Sequence, residues 1–442
     1  MLDSSRLRGA SFYLLISQVA LYSSVLVVDI IFTRTLSKSD FGTWKQVMLA
    51  IQFLIPFIAL GLPEGFRYYS AREKEKWQTH FINVIVLMVL LALGVLAAVS
   101  LGGGKIIAML MKNELFLKIQ YLYPVFFILI TAGTLLRYQF INVRATDKFM
   151  VCQVSFAVIF VLFLCGMLLV DTTTAFVFKL SILILAAFAI KVFMLLLFSK
   201  LNIKTLFAEN PIKRELWVKY ISYGFPLYLA TFIGRITLNI DKMIVSFFGG
   251  PVAYSVYAIG AIEMPFITLI SQVVCQALYP RLVQMAADNR DDEMRDLWIQ
   301  GTVKISYFTY PMIVVLMFTA RFIIELLFSS NYIEATVIFK AYLLILLWRN
   351  NSYGSLLMAK GKTKWITIYS FAAMLLNFGL SIVGYRIFGA VGVVYGTFIS
   401  VSAVAVMQMM HEHIFGRYLK EFLFRPFTLI CIVLIVLGFM IG

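Results

Sequence analysis

Between Gly224 and Ser246 the residues Gly224, Tyr228, Thr231, Arg235, Asn239, Lys242 and Ser246 recur every three or four positions. On a helix that spacing draws one polar stripe along one face. Arg235 stands near the middle of this otherwise apolar run. An ionisable group at the centre of a bilayer costs about 2.5–3.5 kcal/mol on insertion scales, so it turns toward a cavity or a partner and away from acyl chains. A guanidinium keeps its charge when desolvated and offers a planar, bidentate fork of donors, which matches a phosphate or diphosphate. The competing reading for Arg235 is a structural pair with a neighbouring helix.

Two acids, Asp29 and Asp241, lie toward the outer ends of their apolar runs. Either can bind a coupling cation or lock a gate by pairing with Lys or Arg, and structural pairing is the stronger expectation for both. Asp241 is six residues from Arg235, about 240° around a helix, so the two are not expected to pair directly. Gln18, Tyr22 and Asp29 form a sparser stripe in the first run. Arg137, Lys304 and Arg349 are further cations for an anionic headgroup, and Glu263, just before Pro265, is a further coupling or gate candidate. Arg137, Lys179 and Lys191 lie toward the ends of their runs, where a long stem can reach lipid headgroups.

Other patterns carry less. His411-Glu412-His413 is no metal motif, because residues two apart on a helix diverge by about 200°. Gly102-Gly103-Gly104 follows no strand and lacks the Lys-Ser/Thr of a phosphate cradle, so a flexible outer loop is expected. Cys152, Cys165, Cys275 and Cys431 all lie in apolar runs, without disulfide or zinc spacing. No catalytic group, metal or cofactor is expected; the only coupling foreseen is to H⁺, Na⁺ or the membrane potential.

The elements that position these residues follow from composition. With 62% apolar and 14% charged residues, the chain has too little polar surface to coat a soluble globule. Runs of roughly 20 residues, enough to cross about 30 Å of hydrocarbon, occupy 11–33, 44–66, 80–101, 118–141, 150–170, 174–198, 220–248, 253–280, 298–319, 335–357, 365–388 and 391–411. A shorter run, 427–441, ends the chain. Lipid offers no hydrogen-bond partners and barrel alternation is absent, so the class is all-α: a polytopic membrane protein of about twelve spans, with a possible thirteenth.

The net charge of +16 does not point to nucleic acid, because Lys and Arg gather in alternate loops. That asymmetry is expected to place the N-terminus in the cytoplasm. The first run is too long for a signal-peptide core and is expected to remain as the first helix. Ile414 to Phe424, with Ile414, Phe415, Tyr418, Leu419, Phe422 and Leu423 on one face, is expected along the cytoplasmic surface.

An offset of about 213 residues brings Asp29 onto Asp241, Phe41-Gly42-Thr43-Trp44 onto Tyr254-Ser255-Val256-Tyr257, Arg67 onto Arg281, and the 145–148 loop onto 359–362. Six spans per repeat return the chain to its starting side, so two parallel six-helix lobes are expected, residues 1–205 and 206–413, followed by a terminal segment 414–442. A cleft between such lobes can open to either face by rocking. Pro56, Gly61-Leu62-Pro63, Gly224-Phe225-Pro226, Pro265 and Pro311 are the candidate bends.

These residues resemble the oligosaccharide-lipid flippase branch of the multidrug/oligosaccharidyl-lipid/polysaccharide (MOP) exporter superfamily. The stretches that carry the resemblance are Tyr223-Gly224-Phe225-Pro226, Asn239-Ile240-Asp241-Lys242, Tyr254-Ser255-Val256-Tyr257-Ala258 and Leu278-Tyr279-Pro280-Arg281. Arg34-Thr35-Leu36-Ser37 with Asp40-Phe41-Gly42, Gly65-Phe66-Arg67-Tyr68 and Gly389-Ala390-Val391-Gly392 add to it. The resemblance implies a two-lobed fold whose central cavity carries undecaprenyl-diphosphate-linked glycans, such as O-antigen or capsule repeat units, from the inner to the outer leaflet. Partners then include membrane lipids and the polymerase or chain-length machinery. A cation-coupled drug exporter is the alternative in the same superfamily, yet its site would favour acidic, aromatic walls and the charges here lean positive. A membrane-embedded glycan polymerase or ligase is a weaker alternative, because the outer loops are short and hold no His.

Overall fold

The computed structural model describes residues 4–168, 176–199, 213–262, 265–349, 351 and 353–441. Among them the regular structure is helical, with no strand. Contacts divide the chain into two compact units, Met1–Phe232 and Ile233–Gly442. The division falls inside one long helix, beyond the loop at which the sequence repeat suggests it.

The first unit begins with α1 (Ser4–Thr35), α2 (Lys38–Ala59) and α3 (Leu62–Arg72). Ser37 caps α2: its hydroxyl oxygen accepts from the Asp40 backbone N–H at 3.1 Å and donates to the Asp40 carboxylate at 2.6 Å. The run expected to cross from 44 to 66 breaks where Leu60 and Gly61 turn left-handed, and α3 restarts with Pro63 in its first turn. Then come α4 (Trp77–Ala98), α5 (Gly104–Met111), α6 (Leu115–Ile119), α7 (Tyr123–Asn142), α8 (Thr146–Leu168) and α9 (Phe176–Phe198). Between α4 and α5 the expected loop is instead a kinked, near-continuous helix: Gly103 and Gly104 are helical, and Gly102 makes the kink at φ 110°, where a Cβ would be strained. α8 packs on α1 and α9, and α7 on α4, α3 and α9, around Phe32, Trp44, Phe66, Phe127, Leu136 and Phe156.

The next helix, α10 (Arg214–Gly260), straddles the division. Its first turns close the first unit: Tyr220 donates or accepts at 2.7 Å with His80, and the backbones at Gly61 and Gly224 approach so closely that neither position has room for a Cβ.

In the second unit α10 breaks at Gly250 (φ 69°) and is followed by α11 (Pro265–Ala287), α12 (Asp291–Phe328), α13 (Ala335–Arg349), α14 (Ser355–Ala359), α15 (Thr363–His411), α16 (Phe415–Tyr418) and α17 (Pro426–Met440). α15 breaks at Gly389 (φ 61°), and its halves run back along each other, Gly384 against Gly392 and Gly396 against Leu380. Small residues let the two backbones meet. Helices starting at Lys38, Trp77 and Tyr123 recur as starts at Pro251, after the Gly250 break, and at Asp291 and Ala335, all near the 213-residue offset.

Eight described helices are long and apolar enough to cross a membrane, and a ninth is reached if the bent pair Phe415–Leu423 and Pro426–Met440 counts as one span. The chain is a multi-pass membrane protein; the expected twelve runs are not twelve unbroken helices, because several bend or break near a Gly.

The terminal segment is built into the second unit. Ile414, Tyr418 and Phe422, three residues of the face expected to lie on the membrane surface, are buried against Trp298, Tyr310 and Tyr353. Lys360 joins this end to α12: its ammonium donates to Asp291 at 2.8 Å and to the buried Glu412 at 2.7 Å. Burial works against the Lys360 charge, but these two carboxylates more than offset it and raise its pKa above the usual lysine value. Farther along, the buried Lys340 donates at 2.7 Å to the carbonyl of Gly438, in the last turn of α17, a favourable place for a cation.

Candidate functional site

α10 carries the expected polar stripe, but its residues differ in environment. In the second unit Arg235 is exposed, and its guanidinium makes no hydrogen bond or ion pair with another described residue. Its carbonyl accepts from the Asn239 amide at 3.0 Å, and the Asn239 side-chain oxygen accepts from the Lys242 ammonium at 3.2 Å. The three residues thus form a connected polar edge, with Asn239 and Lys242 half-buried. Ser246 is fully buried. In the first unit Gly224 is buried, and Tyr228 is a core residue whose ring stacks on Phe232 at 5.3 Å. The side chain of Thr231 is outside those described.

Asp241 faces the helical segment that follows the Gly250 break. One carboxylate oxygen accepts from the Tyr257 hydroxyl at 2.8 Å, and the other is buried with no partner among the described residues. A buried oxygen left without a donor is expensive, and more so when charged. Arg349 is close by: its charge acts on Tyr257, and it donates to the Tyr342 hydroxyl at 3.2 Å while lying 5.7 Å from that ring's centroid. Asp241, Tyr257, Tyr342 and Arg349 therefore form one group in the second unit.

Asp29 occupies the matching place in the first unit, with its charge answered. Its carboxylate accepts from the Trp44 indole N–H at 3.1 Å and from the Lys45 ammonium at 2.8 Å. Both units thus hold an acid–aromatic contact across a turn, and among the described residues only Asp29 is also bonded to a cation.

Arg137 on α7 lies 5.8 Å from the Phe149 ring centroid, with its Nε buried and unpartnered. Lys191 on α9 is within electrostatic reach and lies 4.7 Å from the Phe156 ring centroid. Neither cation forms an ion pair with a described residue; aromatic faces stand where a carboxylate could have been. Lys304 is exposed on α12. Glu263 lies outside the described residues.

One buried polar cluster escaped a reading based on charge. The Asn377 side-chain oxygen accepts from Ser381 at 2.8 Å and from Thr397 at 3.0 Å, tying the halves of α15 together. A signal existed in the spacing of small and polar residues around Gly389, although neutral groups do not stand out in an apolar run. His411 pairs with Tyr369 at 2.9 Å, and no metal-ligating group of three or more residues occurs among the described residues.

A family model described as polysaccharide biosynthesis protein matches residues 7–286. No curated protein matches the chain by sequence. Solved structures match by fold: an inward-facing multidrug resistance MATE family transporter of the MOP superfamily has a TM-score of 0.67 at 13% identity, over 93% of this chain and 99% of that one. The lipid II flippase MurJ in an inward closed conformation has a TM-score of 0.64 at 16% identity, over 97% of each chain. A MOP superfamily transporter from Pyrococcus furiosus, described as having a binding pocket of reverse polarity, has a TM-score of 0.57 at 14% identity, over 93% of this chain and 95% of that one. At such identities these structures speak for the fold alone. With more than half its length matched by that family's model, this chain belongs to the polysaccharide biosynthesis protein family and has the fold of MOP superfamily transporters.

Proposed function

We propose that the chain is a flippase that carries polyprenyl-diphosphate-linked oligosaccharide repeat units from the inner to the outer leaflet of the plasma membrane, by alternating access, for cell-surface polysaccharide synthesis. The observation that carries this reading is Arg235: an exposed guanidinium, free of partners among the described residues, on a long apolar helix. Such a charge needs an anion, and a lipid diphosphate supplies one with matching bidentate geometry. Arg137 and Lys191 in the first unit, also without ion-pair partners there, extend the cationic character. The family supports the pathway, and the fold it shares with the lipid II flippase supports a lipid-linked cargo.

Asp241 is the better coupling candidate of the two acids, since one of its oxygens is unanswered while both oxygens of Asp29 are engaged. H⁺ and Na⁺ both suit a buried carboxylate. Loop charge orients the N-terminus toward the cytoplasm in this account. Drug export is the second reading, favoured by the likeness to the multidrug MATE fold and disfavoured by the excess of unpaired cations.

Depletion of the protein in its own cells tests the proposal. Lipid-linked glycan accumulating on the cytoplasmic leaflet is the expected result; unchanged distribution between leaflets contradicts it.

A further inference from the structure

The first unit holds a cavity of about 250 Å³. It is lined by Trp77 at the start of α4, Gln139 and Phe140 near the end of α7, Lys148 in the first turn of α8, and Phe198 and Ser199 at the end of α9. Four helix ends therefore meet at one end of the unit. Arg144 and Lys148 stand in the turn and helix start there, so loop charge assigns this end to the cytoplasm.

The lining is chemically specific. Gln139 is only 4% exposed, and its side-chain oxygen is buried with no hydrogen-bond partner among the described residues. An amide oxygen only accepts, so what satisfies it must bring a donor such as a hydroxyl. Lys148 is exposed and forms no hydrogen bond or ion pair with a described residue; its ammonium offers three donors to an anion. The half-buried Trp77 offers a flat apolar ring, and Phe140 and Phe198 add apolar wall. A hydroxyl donor, a negative charge and an apolar ring face together describe a phosphorylated sugar. The volume lies just below the range of about 300–1,000 Å³ typical of small-molecule pockets, which suits one sugar with its phosphate and not a whole repeat unit.

We propose that this cavity docks a phosphorylated sugar, with Lys148 on the phosphate, Gln139 on a sugar hydroxyl and Trp77 against the ring. Arg137 and Lys191 lie one and two turns deeper on α7 and α9, so a phosphate leaving the cavity inward meets further positive charge. The proposal rests on the flippase reading only for the source of the ligand: the sugar belongs either to a prenyl-diphosphate lipid in the membrane or to a soluble nucleotide sugar.

The test is equilibrium binding to the purified full-length protein in detergent. The probes are a short-chain prenyl-diphosphate-linked N-acetylglucosamine and UDP-N-acetylglucosamine, with phosphatidylglycerol as competitor. Saturable binding of the prenyl-linked probe is expected. Lys148→Glu and Gln139→Leu should each weaken it about tenfold or more, as expected for loss of a charge-assisted or buried hydrogen bond. Preference for the prenyl-linked over the UDP-linked probe assigns the ligand to the membrane, and the reverse assigns it to the cytosol. Equal affinity in wild type and in the folded Lys148→Glu variant, or full displacement by phosphatidylglycerol, overturns the proposal. If wild-type protein translocates no lipid-linked glycan but binds the probes through Lys148, the flippase reading fails and the site stands; translocation with binding untouched by both variants does the opposite.

Discussion

The hydroxyl of Tyr257 donates to Asp241 at 2.8 Å across the Gly250 break, while the second oxygen of that buried carboxylate has no partner among the described residues. Asp29 and Trp44 repeat the contact at 3.1 Å in the first unit, where Lys45 takes the other oxygen. The two acids thus share an aromatic donor and differ in the second oxygen, which Lys45 takes at Asp29 and no described residue takes at Asp241.

Asp241→Asn should therefore uncouple transport. Cation-driven accumulation is expected to fall by at least about tenfold, the scale of a lost charge-assisted contact of roughly 1.4 kcal/mol or more, while downhill exchange persists. Asp29→Asn should leave cation dependence in place. Transport assays in vesicles with and without an imposed H⁺ or Na⁺ gradient separate the two, and unchanged coupling in Asp241→Asn removes the assignment.

The Asp29–Lys45 pair makes a prediction about stability. Removing one partner of a buried ion pair costs about 3–5 kcal/mol, and the figure is lowered here to about 2 because Lys45 is 20% exposed. Lys45→Met should lower the melting temperature more than the double variant Asp29→Asn/Lys45→Met, since the double variant leaves no stranded charge. Thermal unfolding in detergent measures the difference; equal losses would mean that an unpaired Asp29 charge costs nothing in this site.

At Gly392 a Cβ would collide with the backbone at Gly384, where the two halves of α15 run together. Gly392→Ala should destabilise the second unit by about 1–3 kcal/mol, the usual cost of overpacking. Gly379, with open space around its Cβ, is the control: Gly379→Ala should be neutral or mildly stabilising. Yield of monodisperse protein and its melting temperature report both.

Arg235→Ala should leave stability within about 0.5 kcal/mol of wild type, because the side chain is exposed and makes no described contact. Transport should be lost, and Arg235→Lys should keep part of it by retaining charge without the bidentate fork. A folded Ala variant with full transport would show that Arg235 does not hold the cargo.

Apolar run length was enough to read an all-α membrane fold, since lipid leaves the backbone few alternatives. The repeat also made Asp29 and Asp241 visible as a pair. What each acid touches was not legible, because Trp44, Lys45 and Tyr257 reach them across turns and identical acids gained different neighbours. Tyr228 shares the spacing of Arg235 yet packs on Phe232, for spacing assigns a face and not what covers it. The break after Leu60 announces itself as Gly61-Leu62-Pro63, whereas Gly250 and Gly389 look like ordinary glycines until their positive φ is seen. Asn377, Ser381 and Thr397 carry no charge, so nothing in the sequence marks them as costly groups within an apolar run.

Sealed proteoliposomes loaded with a fluorescent polyprenyl-diphosphate-linked oligosaccharide report translocation through how fast an impermeant quencher loses or gains access to it. Wild-type protein should exchange the lipid between leaflets, and the Arg235→Ala variant, folded and inserted to the same extent, should not. Wild-type vesicles that move a cationic drug but never the glycolipid would show that the protein is not a glycolipid flippase.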